Sequence, residues 1–164
     1  MSNVFKWAAV FIGAFLFQSS IASSISIFGV KPDLLVLVLF MFAVKCGVLP
    51  ATYVGFFIGL AQDLYTPGIL GQNALAKTVA GFFAGLFNEK VVRVDPILQV
   101  ILIFIVFIVN DSIFLGVQLM RSGGSMNLIL TDMITATVPR ALYSLVFAAL
   151  PLIWENFVQP AVKR

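Results

Sequence analysis

The chain has 164 residues, of which 61% are hydrophobic and 10% are charged, whereas an average soluble domain has about 45–50% apolar and about 25% charged residues. This composition excludes a water-soluble fold, because too few polar side chains remain to cover its surface, while a bilayer accepts apolar side chains on the outside. The net charge of +3 is spread through short loops, which indicates membrane topology signals and no nucleic-acid binding.

The apolar runs lack the two-residue alternation of a membrane β-barrel strand. We therefore predict an all-α integral membrane protein with about six transmembrane helices, forming a single domain over residues 1–164. The predicted helices cover about residues 5–28, 33–47, 50–65, 72–88, 96–120 and 128–157.

The first helix also resembles a secretory signal, because it begins near Lys6 and carries small residues at 19–23. Its apolar run continues to Phe28, past any cleavage site, which favours a retained helix. The second helix is short, so we expect it to cross the membrane where the bilayer is thin or locally adapted. The last helix contains Pro139 and Pro151, which predict a kink or break.

An even number of crossings places both termini on one side of the membrane, and the basic residues decide which side. With a cytoplasmic N-terminus, Lys6, Lys45, Lys90, Arg93, Lys163 and Arg164 lie inside, and Lys31 and Arg121 lie outside. The sequence thus predicts a multi-pass protein of the cytoplasmic (inner) membrane with both termini cytoplasmic. The 66–71 turn and the junction at 31–33 then face outward.

Small residues recur every four positions along the helical hairpin at residues 50–88. They are Ala51, Gly55 and Gly59 on the first arm, and Gly81 and Gly85 on the second. This spacing lines one helix face with residues that let neighbouring backbones come close inside a bilayer. The sequence leaves two uses open: the stripe receives the transmembrane helix of a partner, or it packs the hairpin itself.

Two charges extend this stripe, Asp63 four residues after Gly59 and Lys77 four before Gly81. Charged side chains in apolar spans are costly and are usually paired. We favour a structural role, either an ion pair or a capping pair that fixes the tip of the hairpin. The hydrogen-bonding neighbours in that role are Gln62, Gln72 and Asn73. The alternative is a solute or proton site.

The last two predicted helices carry Asp111 and Arg140 at depths that differ by roughly 6 Å, at 1.5 Å per residue. Because an arginine side chain spans that difference, we predict that a contact between them clamps these helices. The alternative is that each side chain reaches the interface separately, or meets backbone carbonyls beside Pro139.

Catalysis is not expected. The chain has a single cysteine, Cys46, and no histidine, so a disulfide framework, a cysteine metal cluster and imidazole chemistry are all excluded. No nucleophile-base pair, phosphate loop or metal-ligand spacing is visible. We therefore expect a non-enzymatic protein without a cofactor or metal.

The motifs between residues 31 and 85 resemble the family of the bacterial rod shape-determining protein MreD. They are Lys31-Pro32-Asp33-Leu-Leu before an apolar helix, Gly55-Phe-Phe-Ile-Gly-Leu-Ala-Gln-Asp63-Leu, Gly68-Ile-Leu-Gly71-Gln-Asn-Ala-Leu75 and Gly81-Phe-Phe-Ala-Gly85. Length and hydropathy match that family along the whole chain, while the second half offers hydropathy alone.

The resemblance implies a subunit of the cell-wall elongation machinery, the elongasome, which supports peptidoglycan synthesis and maintains rod shape. MreD proteins are linked to the bitopic protein MreC, and through it to MreB, RodA and a class B penicillin-binding protein. The family is also similar in fold to the substrate-binding (S) component of energy-coupling-factor transporters. A homo-oligomer is compatible with these links.

The leading hypothesis is a membrane scaffold that binds the membrane anchor of MreC. The alternative is the substrate-binding component of a transporter for a vitamin or another small solute. The candidate structural or partner-binding residues are Pro32, Asp33, Gly55, Gly59, Asp63, Gly71, Asn73, Lys77, Gly81, Gly85, Asp111 and Arg140.

Overall fold

The computed structural model describes residues 2–20, 33–66, 68–87 and 96–122, together with 131, 135 and 137–139. The main ranges form five helices: α1 (Ser2–Ser20), α2 (Leu34–Cys46), α3 (Val48–Tyr65), α4 (Gln72–Gly85) and α5 (Pro96–Ser122). The described residues contain no strand, in agreement with the predicted all-α class. Residues 21–28 of the first predicted helix and most of the last, 128–157, lie outside the described residues.

Within these ranges, α5 contains the segment that is long and apolar enough to cross a membrane. That segment, Leu98–Met120, has 23 residues and a mean hydropathy of 2.6. Helix α2 is also apolar, but its 13 residues extend only about 20 Å at 1.5 Å per residue. The six predicted crossings therefore stay a prediction.

Helix α2 is the centre of the bundle and contacts α1, α3, α4 and α5. A helix that is apolar on every side must be enclosed by neighbours to be stable in a compact fold. Its buried residues accordingly cover more than half of the circumference of the helix: Leu35, Val36, Leu37, Leu39, Phe40, Phe42 and Ala43.

Helix α3 begins at Val48, two residues before the predicted start at Pro50. Gly47 ends α2 and precedes α3 with a φ of 87°, a backbone conformation that glycine adopts without strain. Pro50 then occupies the first turn of α3, where a backbone N–H has no partner within the helix and its loss costs nothing.

The small-residue stripe joins α3 to α4. A Cβ on Gly55 would overlap the carbonyl oxygen of Lys77, and one on Gly81 would lie 2.6 Å from the carbonyl oxygen of Ala51. A Cβ on Gly85 would lie 2.6 Å from the Cα of Val48. These helices therefore touch backbone to backbone, and the glycines serve the fold. The idea that a partner helix enters this stripe is wrong, because α3 and α4 already fill it.

Helix α1 packs against α2 through aromatic side chains. The rings of Trp7 and Phe11 both meet Phe42 edge to face, at centroid distances of 5.2 and 5.7 Å. The ammonium of Lys45 lies 5.8 Å from the Trp7 ring centroid, a favourable cation–π distance. These contacts set α1 antiparallel to α2, so that Gln18 reaches the start of α2.

The glycine contacts predict opposite effects for two glycine-to-alanine changes. Gly59→Ala would place its Cβ 2.5 Å from the Cα of Ala74, so we expect the unfolding free energy in detergent to fall by about 1–3 kcal/mol. Gly116→Ala is the matched control, because its Cβ meets nothing within 4 Å. It should stabilise the protein by about 0.5–1 kcal/mol through helix propensity. Equal stability of both variants would contradict the close α3–α4 contact.

Candidate functional site

A polar cleft lies where the C-terminal ends of α1 and α3 meet the N-terminal ends of α2 and α4. Its volume is about 310 Å³. It extends from the exposed residues Thr66 and Gly68 to the buried Asp33 and Asn110. The polar lining includes Asp33, Gln62, Asp63, Gln72, Asn110 and Asp111. The cleft thus gathers polar side chains that the sequence scatters between residues 33 and 111.

Asp63, at the end of α3, caps the start of α4. The N-cap residue of α4 is Gly71, which has a φ of 96° and no side chain for a capping bond. Asp63 Oδ2 accepts hydrogen bonds from the backbone N–H of Gly71 at 2.9 Å and of Ala74 at 3.0 Å. Its Oδ1 accepts from the backbone N–H of Asn73 at 2.9 Å and from Asn73 Nδ2 at 2.8 Å. One carboxylate therefore satisfies three backbone donors of the helix start, where negative charge is also favoured by the helix dipole, while the N–H of Gln72 donates to the carbonyl of Ile69.

Lys77 pairs with Asp33 and not with Asp63. Its Nζ lies 3.1 Å from Asp33 Oδ2, and the lysine side chain is fully buried. Asp33 Oδ1 also accepts from the backbone N–H of Val36 at 3.2 Å and caps α2. The predicted ion pair between Asp63 and Lys77 is therefore wrong, while the capping alternative is correct for Asp63.

The physical reason is that the first turn of α4 takes both oxygens of Asp63. Lys77 lies one turn further along that helix than Asn73, which brings it beside the start of α2. Asp33 was recognised in the sequence as an acidic residue at a helix start, but not as the partner of Lys77. The predicted topology places residues 31–33 on the same side of the membrane as the 66–71 turn. That placement indicates that Asp33 and Lys77 lie close together.

Two glutamines tie the outer helices to this end of the bundle. Gln18 Oε1 accepts from the backbone N–H of Leu35 at 3.2 Å, and Gln72 Nε2 donates to the carbonyl of Phe114 at 2.8 Å. Sequence reasoning missed Gln18, although an amide within an apolar run is itself a signal. These bonds fix α1 to α2 and α4 to α5 around the cleft.

Helix α5 contributes Asn110 and Asp111, which are 3% and 2% exposed. Asn110 Nδ2 donates to Asp111 Oδ1 at 3.0 Å. Arg140 lies outside the described residues, so the clamp between Asp111 and Arg140 stays a prediction. Pro32 also lies outside them.

Two buried oxygens in the cleft accept no hydrogen bond within the described part of the chain, Gln62 Oε1 and Asn110 Oδ1. Native proteins pair nearly all buried polar atoms, so each such exception calls for a physical reason. The described residues contain no group of three or more histidine, cysteine or acidic side chains that would hold a metal ion. Within that part of the chain, the cleft therefore offers a ligand two hydrogen-bond acceptors, Gln62 Oε1 and Asn110 Oδ1.

Comparison with protein families gives one match, to the model of the rod shape-determining protein MreD, over residues 1–159. The chain belongs to the MreD family. It is thus a membrane protein with a role in rod shape determination. The motifs that carry the resemblance contain Asp33, Asp63, Gly71 and Asn73, and the structure brings these four together at one end of the bundle, beside Lys77.

Searches of curated proteins and of solved structures find no match. The similarity in fold to the S component of energy-coupling-factor transporters therefore gains no support here, and it stays a prediction.

The capping role of Asp63 predicts a specific loss of stability. In Asp63→Asn, one acceptor oxygen becomes an amide NH2 group, which is itself a donor and faces N–H donors, so about two of the four hydrogen bonds are lost. We expect the unfolding free energy in detergent to fall by about 2–3 kcal/mol. Gln118→Leu, at an exposed position of α5, is the control and should change little. Unchanged amide-exchange protection at the start of α4 in Asp63→Asn would contradict the cap.

The buried pair predicts strong coupling between Asp33 and Lys77. Lys77→Met removes the buried ammonium that pairs with Asp33 and should cost about 3–5 kcal/mol, because breaking a buried ion pair on one side is strongly destabilising. Adding Asp33→Asn to Lys77→Met should recover part of that loss, since asparagine still accepts from the α2 start. The check is a double-mutant cycle of unfolding free energies. Additive losses would show that the two side chains do not interact.

Proposed function

We propose that this chain is a non-enzymatic scaffold of the elongasome that binds the transmembrane anchor of MreC in the cytoplasmic membrane. By holding that anchor, it positions MreC for MreB, RodA and a class B penicillin-binding protein. The observation that carries the proposal is the match to the MreD family over residues 1–159.

The way the chain uses its polar groups supports a scaffold. Asp33, Asp63 and Lys77 serve helix starts and one buried ion pair. Such contacts hold helices in fixed relative positions, as a protein that orients a partner requires. A rigid membrane scaffold then binds through its outer faces.

The outer face of α3 and α4 is our proposed docking surface for the MreC anchor. It carries two pairs of aromatic rings that remain between 42% and 65% exposed: Phe56, Phe57, Phe82 and Phe83. The rings of each pair meet edge to face, at 5.5 and 5.9 Å. Aromatic side chains bury large areas at a small cost in conformational entropy, and they are enriched in protein interfaces. Close packing through the glycines is already used within the fold, so a docking helix has to meet these rings.

The membrane topology in this proposal has both termini in the cytoplasm, from the distribution of basic residues. The polar cleft then lies in the outer half of the membrane. The MreC anchor would run beside α3 and α4 and lead into the periplasmic part of that partner.

A transporter component that binds a small solute is the second candidate. It is favoured by one observation, the two buried acceptors in the cleft that lack a described hydrogen-bond partner. Such a protein would act with an ATPase module and a membrane coupling subunit, and not with a bitopic partner.

Affinity purification from native membranes with mass spectrometry distinguishes the two candidates. We expect MreC to co-purify with the chain. Phe56 and Phe82 each follow a glycine of the α3–α4 contact and so lie on the same side of the hairpin. Changing both to alanine should lower the recovered MreC at least about fivefold, a loss of roughly 1 kcal/mol or more of binding free energy. The matched control is Phe5→Ala, which removes an exposed ring from α1 and should leave recovery unchanged.

Two other outcomes would count against the proposal. Full recovery of MreC with the double variant would rule out the aromatic face as the docking surface. Recovery of an ATPase module with a membrane coupling subunit, in place of MreC, would favour the transporter.

A further inference from the structure

The polar cleft lacks hydrogen-bond donors for two of its own oxygens. Asn110 is 97% buried, since 3% of its surface is exposed, and its Oδ1 has no described partner. Gln62 Oε1 is in the same situation, and both residues line the cleft. A buried acceptor that has lost water and gained no donor is unfavourable. A bound group with N–H or O–H donors would remove that cost.

Three amide donors of the cleft are already used. Asn73 Nδ2 donates to Asp63, Gln72 Nε2 to the carbonyl of Phe114, and Asn110 Nδ2 to Asp111. Each of these three amides therefore already donates within the fold, while the buried oxygens of Gln62 and Asn110 remain as acceptors for a ligand.

The charge of Asp63 favours a cation in the same cleft. All four groups that donate to its carboxylate are uncharged N–H groups. Asp33, by contrast, is paired with the buried ammonium of Lys77. A positive charge in the cleft would be attracted to Asp63, and little water would lie between them to weaken that attraction.

The size and apolar lining of the cleft indicate more than a single inorganic ion. Its volume of about 310 Å³ lies at the lower end of the range for small-molecule pockets, about 300–1,000 Å³. Phe15 and Tyr65 line it, and their rings meet edge to face at 5.9 Å. Aromatic rings accommodate both a cation and the methylene groups beside it.

We propose that the polar cleft binds the primary ammonium group of a small amphiphilic amine, with Gln62 Oε1 and Asn110 Oδ1 as its acceptors. An ammonium carries three donors and no acceptor, so two donors meet the two amide oxygens and one remains for water. The ammonium belongs either to the headgroup of an ethanolamine lipid or to a free amine. This site is separate from the proposed MreC-binding face, so either proposal can fail without the other.

The test uses the full chain in nanodiscs of phosphatidylcholine, whose quaternary ammonium has no N–H donor. Ethanolamine is titrated, and binding is measured by calorimetry and by the unfolding temperature. The control ligand is ethylene glycol, which has the same size without the ammonium. We expect saturable stabilisation by ethanolamine and none by ethylene glycol.

The same measurement in nanodiscs that contain phosphatidylethanolamine separates the two sources. If the lipid is the ligand, these nanodiscs should stabilise the protein, and added ethanolamine should have little further effect. If a free amine is the ligand, the lipid should have no effect and ethanolamine should still bind. Binding of neither probe would overturn the proposal, and so would equal effects of ethanolamine and ethylene glycol.

Gln62→Met tests the role of the acceptor without breaking a hydrogen bond of that side chain in the described structure. We expect unchanged or higher stability without ligand, because a buried acceptor that lacks a partner is removed, and about tenfold weaker ethanolamine binding. Gln118→Met is the matched control on the exposed side of α5 and should bind normally. Unchanged affinity in Gln62→Met would contradict the assigned acceptor.

Asn110→Leu removes the other acceptor and should weaken binding by a similar factor. It also removes the bond to Asp111, so the variant must first be shown to be folded. If it does not fold, Gln62→Met decides the question.

Discussion

The direct contact of the α3 and α4 backbones is the constraint from which the rest of this structure follows. Glycines at Gly55, Gly59 and Gly81 leave no side chain between the two helices, so the pair has one close register. In that register the start of α4 lies beside Asp63, which caps it, and Lys77 reaches Asp33 at the start of α2. A wider spacing of α3 and α4 would break the hydrogen bonds from the start of α4 to Asp63, so the cap depends on the close glycine packing.

The free backbone N–H groups at helix starts explain why a chain with so few charged residues buries several of them. Isolated charges are costly in an apolar environment, but Asp33 and Asp63 each accept the backbone N–H groups of a helix start, where the helix dipole favours negative charge. Lys77 balances the charge of one of them. These residues therefore satisfy backbone donors that neither lipid nor apolar side chains can satisfy.

Two surfaces of this MreD-family protein have different chemistry. The outer face of α3 and α4 is apolar and aromatic, which suits another helix within the lipid. The polar cleft at the ends of the same helices offers oxygen acceptors and negative charge, which suits a cationic donor. Because the glycines hold the backbones of α3 and α4 in direct contact, the outer face and the cleft are both parts of one rigid unit. A ligand in the cleft would contact the ends of the helices that also form the proposed docking face.

The sequence by itself determined the membrane class, the all-α fold, the hairpin with its small-residue stripe and the MreD family, because composition, helix periodicity and short motifs are local properties. It also indicated capping as one of two structural roles for Asp63. Only the tertiary structure decided that Lys77 pairs with Asp33, that the glycines serve the fold, and that Gln18 and Asn110 reach one cleft. Spacing along a chain gives the face of a helix on which a residue lies, but not which helix that face meets, and partners such as Asp33 and Lys77 are 44 residues apart.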